Sequence, residues 1–214
     1  MAKLLPVLIG VGIAGVILAI GRESIATVNW DIEEKNGKKK GSKKNVGKTL
    51  KDAAKRISKD VYASAYKWAK SRNIPVIDVL TTILLESRGD PKAHALTEKE
   101  DSRGLMQVNI RAHGDLISKL GYKPDDLYKI DVGIEVGTSL LASKRQKVLA
   151  LIKESGRAQE YSVDVLTRLY YAGPKYATAW IMQKKHFKNM ETYVDHWKEA
   201  KQAVAEATAE GAYA

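Results

Sequence analysis

The apolar positions of this chain follow three successive rhythms. Leu4 to Ile20 form an uninterrupted apolar run, residues 31–48 carry almost no apolar side chain, and from Leu50 onward apolar residues return every third or fourth position. Leu50, Ala54, Ile57, Val61, Ala65 and Trp68 share one helical stripe, which predicts a helical stretch stopping near Asn73. A second helix is expected to start at Pro75, run through V-I-D-V-L-T-T-I-L-L-E and end before Gly89-Asp90-Pro91. Further helices are expected at 111–120, 132–154, 161–171, 175–183 and 190–208, and only the polar stretch 94–109 leaves room for a small hairpin. The expected class is mainly α with no internal repeat.

The run from Leu4 to Ile20 is uncharged and sits at the short end of the roughly 17 to 25 residues that span a bilayer. It is read as a membrane anchor over residues 1–22. A cleaved signal peptide is the alternative, since Lys3 precedes the run and Ala19-Ile20-Gly21 offers small residues for cleavage. Residues 23–48 are read as a basic flexible linker, because a segment so poor in apolar side chains cannot build a core. A globular domain then covers 49–199, and 200–214 is a helical or disordered tail.

The formal charge is +11 and the sequence pI about 9.6. Much of the excess lies between Lys35 and Lys59, where Asp52 is the one acid among eleven lysines and arginines. Such a segment suits anionic lipid, wall polymer or nucleic acid, or is simply a solvated linker. With no aromatic residue among the lysines, stacking on single strands is disfavoured. The chain has no cysteine, which excludes disulfides and thiolate metal sites. The four histidines have no compact ligand spacing, and neither a G-x-S-x-G elbow nor a phosphate-binding glycine loop is present. No metal and no cofactor is expected.

Glu86 carries the most chemistry. It follows Val79 by seven residues and Ile83 by three, so its carboxyl is expected on the apolar face of its helix. It also falls in the last turn, where the helix dipole disfavours a negative charge. Burial and dipole both favour the protonated form, as a general acid for glycosidic cleavage requires. Position alone is equally compatible with a glutamate whose stem packs while its head reaches solvent.

The segment A-K-S-R-N-I-P-V-I-D-V-L-T-T-I-L-L-E-S-R-G-D-P-K-A-H-A-L, holding Glu86, Ser87, Asp90, Pro91 and Ala93, closely resembles the opening motif of the soluble lytic transglycosylase and goose-type lysozyme family. Ser102-Arg103-Gly104-Leu105-Met106-Gln107 is similar to the family's serine and G-L-M-Q motif, without the usual glycine-alanine pair before it. Asp131 to Leu141 resembles the helix that supports the cleft, and Leu169-Tyr170-Tyr171-Ala172-Gly173-Pro174 resembles A-Y-N-A-G-P with Tyr171 where asparagine is usual. Glu191-Thr192-Tyr193-Val194 resembles a shortened E-T-x-x-Y-V ending. The resemblance runs in family order over about residues 59–199.

That resemblance implies a lysozyme-like fold and cleavage of the β-1,4 bond between N-acetylmuramic acid and N-acetylglucosamine in peptidoglycan. Glu86 is expected to be the catalytic acid and base, giving 1,6-anhydro products. Ser87, Ser102, Met106, Gln107, Tyr170 and Tyr171 are expected to bind substrate. One alternative is a goose-type muramidase, a hydrolase in which Asp101 holds the attacking water. Another is an inactive membrane-anchored protein that binds nucleic acid or wall polymer through its lysines.

The lysines after the apolar run would keep the domain on the cytoplasmic side by the positive-inside rule, away from peptidoglycan. An exported anchored protein, a cleaved signal, or a phage protein in a virion membrane each resolves the conflict. The last is favoured, as a compact enzyme on a basic tether suits local wall penetration during host entry. The expected location is therefore a phage virion membrane, or the bacterial inner membrane facing the periplasm.

Overall fold

The structure is a computed structural model and describes residues 43–183 and 190–213. The expected anchor at Leu4–Ile20 and most of the basic linker lie outside the described residues. Eight helices are described: α1 (Lys43–Lys55), α2 (Lys59–Ser71), α3 (Val76–Ser87), α4 (Ile110–Lys119), α5 (Ile130–Ser155), α6 (Val163–Ala172), α7 (Pro174–Gln183) and α8 (Met190–Ala209). Three short strands, β1 (His94–Leu96), β2 (Asp101–Arg103) and β3 (Val108–Asn109), form an antiparallel sheet in the order β1-β2-β3. The mainly α expectation stands, and the small hairpin is a three-stranded sheet. Among the described residues no helix is long and apolar enough to cross a membrane.

The stripe from Leu50 to Trp68 is divided between two helices. α1 ends at Lys55, and Ser58 starts α2 by accepting the N–H of Val61 on its hydroxyl. Leu50, Ala54, Ile57, Val61 and Ala65 are all buried, so periodicity located the inward side chains but not the break between the helices. Trp68 is only partly buried and donates Nε1 to Asp131 of α5 at 2.8 Å. The same carboxylate accepts from Ser64 and Lys67, which ties the start of α5 to α2.

The packed unit is longer than the expected 49–199. α1 begins at Lys43, and α8 continues through the residues assigned to a tail. Ala200, Ala203, Val204 and Ala207 are buried, and Tyr213 donates its hydroxyl to Ala54 O at 2.9 Å while stacking on Tyr62. Lys51 and Lys55 pair with Glu206 and Glu210 of α8. That part of the basic segment is therefore neutralised within the fold.

α3 lies at the centre, packed by α8 and α2. Every residue from Val79 to Leu85 is at most 5 % exposed, so the helix is buried all round rather than along one stripe. Thr81 and Thr82 satisfy their hydroxyls on Ile77 O and Asp78 O within the helix. Asp78 is neutralised by Lys201 of α8 at 2.6 Å. The helix stops where Arg88 adopts a left-handed conformation (φ 54) and returns its N–H to Leu84 O.

Candidate active site

Glu86, one position before the end of α3, is where this central helix reaches the surface of a cleft. The cleft has a volume of about 350 Å³ and is walled by helices on one side and by the sheet on the other. On the helical side stand Glu86, Arg168 and Tyr171 of α6, and Tyr193 of α8. On the sheet side stand Glu100 of the β1–β2 turn, Ser102 of β2 and Gln107. His113 and Lys144 line it from α4 and α5.

The sheet wall is positioned by residues that leave no room for a side chain. A Cβ on Gly104 would lie 2.1 Å from Leu127 O, and one on Gly137 of α5 would lie 2.4 Å from Met106 Sδ. Gly104 also has a φ of +73, which only glycine adopts freely. The Gly-Leu-Met-Gln turn can therefore lie directly on α5. Gln107, itself at φ 44, donates both amide hydrogens of Nε2, to Ala93 O at 3.0 Å and Gly104 O at 3.1 Å.

Strand alternation sorts the side chains of β2. Ser102 faces the cleft and donates its hydroxyl to Glu100 at 2.6 Å, while its neighbours Asp101 and Arg103 lie away from the cleft. Arg103 grips both oxygens of Asp101 at 2.9 Å, and His94 Nε2 lies 2.9 Å from Oδ1. The Arg103 bonds hold the Asp101 carboxyl down at about 2, against the opposing effect of burial and with help from His94. Asp101, considered above as a water-holding residue, is thus a strut of the sheet. The carboxylate that faces Glu86's cleft from this side is Glu100.

Of the seven site residues expected from sequence, four come together: Glu86, Ser102, Gln107 and Tyr171 line the cleft. Tyr171 fills the asparagine position of the motif and donates its hydroxyl to Met106 O at 2.9 Å, joining the two walls. Ser87, Met106 and Tyr170 do not line it. The Ser87 hydroxyl lies 2.8 Å from Leu105 O and 3.1 Å from Ile83 O and accepts from Gly89 N–H, so it pins the end of α3 to the Gly-Leu-Met-Gln turn. Met106 is fully buried against Gly137, and Tyr170 lies under Lys144 outside the cleft lining.

The most consequential residue that sequence reasoning missed is Arg168. Its Nη2 donates to Glu86 Oε1, and its side chain is 3 % exposed. A signal for it existed: Arg168 follows Val165 by three and precedes Leu169, which puts a charge among the inward positions of α6. Such a charge needs a buried partner. Burial opposes its charge, but facing Tyr193, Glu86 and Tyr171 leaves the guanidinium held above its ordinary range. Burial, followed by the field of Glu86, pushes the Tyr171 phenol well above its ordinary value, and burial does the same to Tyr193. Burial and then Lys144 push the His113 imidazole down, while burial and then Lys147 push Lys144 down.

The cleft thus offers one carboxyl on a rigid helix end, a second across from it, and neutral hydroxyl and amide groups between. This is a set suited to proton transfer on a neutral polyhydroxylated ligand. A family model described as the transglycosylase SLT domain matches residues 63–193, from within α2 to Tyr193, a span that contains every cleft residue named above. No curated protein matches the sequence.

Proposed function

The chain belongs to the transglycosylase SLT domain family, whose members are peptidoglycan-cleaving lyases, and from this we propose that Glu86 cleaves the N-acetylmuramic acid–N-acetylglucosamine β-1,4 bond with formation of a 1,6-anhydro end. One observation carries the reading: Glu86, its side chain 13 % exposed, opens into the cleft from the end of a helix buried on all sides, with Ser102, Gln107 and Tyr171 around it. In the protonated form Glu86 gives its proton to the glycosidic oxygen as the bond from the muramic C1 breaks. The carboxylate then takes the proton of the C6 hydroxyl as that oxygen bonds to C1, and no water is consumed. A positioned acid and base of this kind accelerates reaction by roughly 10²- to 10⁴-fold.

One observation favours a second reading. Glu100 faces the same cleft and is held by Ser102, so it is a carboxylate able to orient a water, the role Asp101 is too firmly held and too remote to fill. Glu100 then makes the enzyme a hydrolase. Mass spectrometry of released muropeptides separates the two, because hydrolysed ends are heavier by one water. Anhydro ends that disappear with Glu86→Gln support the lyase reading, and reducing ends that disappear with Glu100→Gln overturn it.

For its setting we propose attachment to a membrane through residues 4–20, in a virion or at the periplasmic face of an inner membrane, so that the domain acts locally on the wall. The basic segment supports contact with anionic lipid or wall polymer over nucleic acid, since Lys51 and Lys55 are engaged by α8 and no aromatic residue accompanies the remaining lysines. Virion preparations probed for the protein test the setting, and its absence from them removes the phage proposal.

A further inference from the structure

Arg168 and the unusual Tyr171 have a common explanation. The Arg168 guanidinium carbon lies 5.0 Å from the ring centre of Tyr171 and 5.5 Å from that of Tyr193, so the cation is caged by two aromatic faces beside Glu86. Its Nε and Nη1 have no hydrogen-bond partner among the described residues. Burying a guanidinium this deeply costs more than one ion pair generally returns, and an apolar side chain at the same helix position would avoid the cost. Stability alone is a poor reason for its presence. Its partner is the carboxyl that must lose and regain a proton in the reaction.

We infer that Arg168 is a positioning residue for Glu86, holding Oε1 so that Oε2 is left to work on the sugar and stabilising the negative charge that forms on Glu86 when its proton leaves. The inference rests on the assignment of Glu86 as acid and base. Tyr171, in place of the motif's asparagine, and Tyr193 hold the cation in place through their ring faces. The fixed charge favours the second half of the reaction, in which Glu86 is a base, and restricts the first half, which needs the protonated acid.

Other ionisable groups lie around α3, among them Arg145 and Asp164, which pair with each other beside Asp78 and Arg168, and the buried His196 of α8. Tyr171 and Tyr193 are phenols pushed upward and stay neutral, and His113 on α4 is pushed toward its neutral form. Glu100 and Lys144 line the cleft from the β1–β2 turn and from α5. On α3 itself Asp78 is held by Lys201 of α8, while α1 turns Lys51 and Lys55 to α8 and α2 turns Lys67 to Asp131.

The test compares the full chain with Arg168→Met and Arg168→Lys, measuring kcat/KM against pH on soluble glycan strands. Arg168→Met should move the alkaline limb upward by about one pH unit and lower the acid-side plateau roughly tenfold. Arg168→Lys should keep the limb within a few tenths of a unit, because the charge remains, while losing plateau activity because the fork geometry is lost. An unmoved limb in Arg168→Met overturns the inference.

A second arm needs no activity and decides the matter if the Arg168 variants are insoluble. Glu86→Gln should melt below the native chain, because it strands a buried cation, and in any soluble preparation Glu86→Gln with Arg168→Met should recover the loss. Melting of Glu86→Gln at or above the native temperature overturns the inference. Retained lysis by Glu86→Gln would instead remove the catalytic assignment, so the two failures are separable.

Discussion

Both walls of the cleft contain a carboxylate gripped by an arginine, and the two pairs are built on opposite plans. In the sheet wall Asp101 is bound by Arg103, two residues away, on the face of β2 turned from the cleft. In the helical wall Glu86 is bound by Arg168 from 82 positions away, and both line the cleft. A local pair is available as soon as a strand forms, whereas a distant pair exists only when α3 and α6 have docked. The first stiffens a short sheet. The second sets a charge beside a carboxyl that lines the cleft.

The largest effect that separates the walls is catalytic. Glu86→Gln should lower clearing of peptidoglycan by roughly 10²- to 10⁴-fold, whereas Asp101→Asn should leave the rate within about tenfold of native. Turbidity assays on purified wall would check it, and a greater loss in Asp101→Asn would undo the distinction. Next in size is the fit of the sheet wall on the helical turn Pro124–Tyr128 that precedes α5. Gly104→Ala brings a methyl against Leu127 O in a backbone conformation that disfavours it, and should cost about 3 kcal/mol or more. Urea unfolding measures that, and a cost under about 1 kcal/mol would mean that the turn is not confined by the Leu127 backbone.

The smallest effect separates the walls by pH. His196 on α8 is buried and its imidazole is pushed down to about 4 by burial. The folded state resists protonating it, so stability is complete above the unfolded value near 6.5, falls as pH drops from there to about 4, and is flat below. The loss should be on the order of 2 kcal/mol, and His196→Leu should flatten it in urea unfolding across that window. Asp101 is depressed from 3.8 to about 2, so its contribution is present above 3.8 and lost as pH falls through 2. Stability should therefore fall in two steps on acidification, that of His196 first and that of Asp101 later. Loss of the lower window alone in Asp101→Asn would sharpen that order.

What could be read along the chain depended on the range of the signal. Pro75 before the second helix and Gly89-Asp90-Pro91 after it bracket α3 well, and the later helices fall within a few residues of their expected limits. Capping at Ser58 was overlooked, because the apolar stripe continues across it in phase. The stretch 200–209 is expected as the end of a helix over 190–208 and as part of a helical or disordered tail, and Ala200, Ala203, Val204 and Ala207 are buried in the packed unit. Ser87 and Met106 were assigned to substrate by motif position, but one fastens a helix end and the other fills the space above a glycine.

Glu86 could be singled out as a candidate from its motif, though not for the reason its periodicity suggested. A helix buried on every side has no privileged apolar face, so Glu86 is set apart by standing at the end of α3, where the helix leaves the core. Local order, the mainly helical class and the choice of Glu86 as candidate acid rest on residues close in sequence, for which spacing, caps and motif are sufficient. The Arg168 cage, the choice of Glu100 over Asp101 as the second cleft carboxylate, and the inclusion of 200–213 in the core depend on packing between segments far apart in the chain. Burial and charge pairing arise only once those segments meet, and no single stretch of sequence carries them.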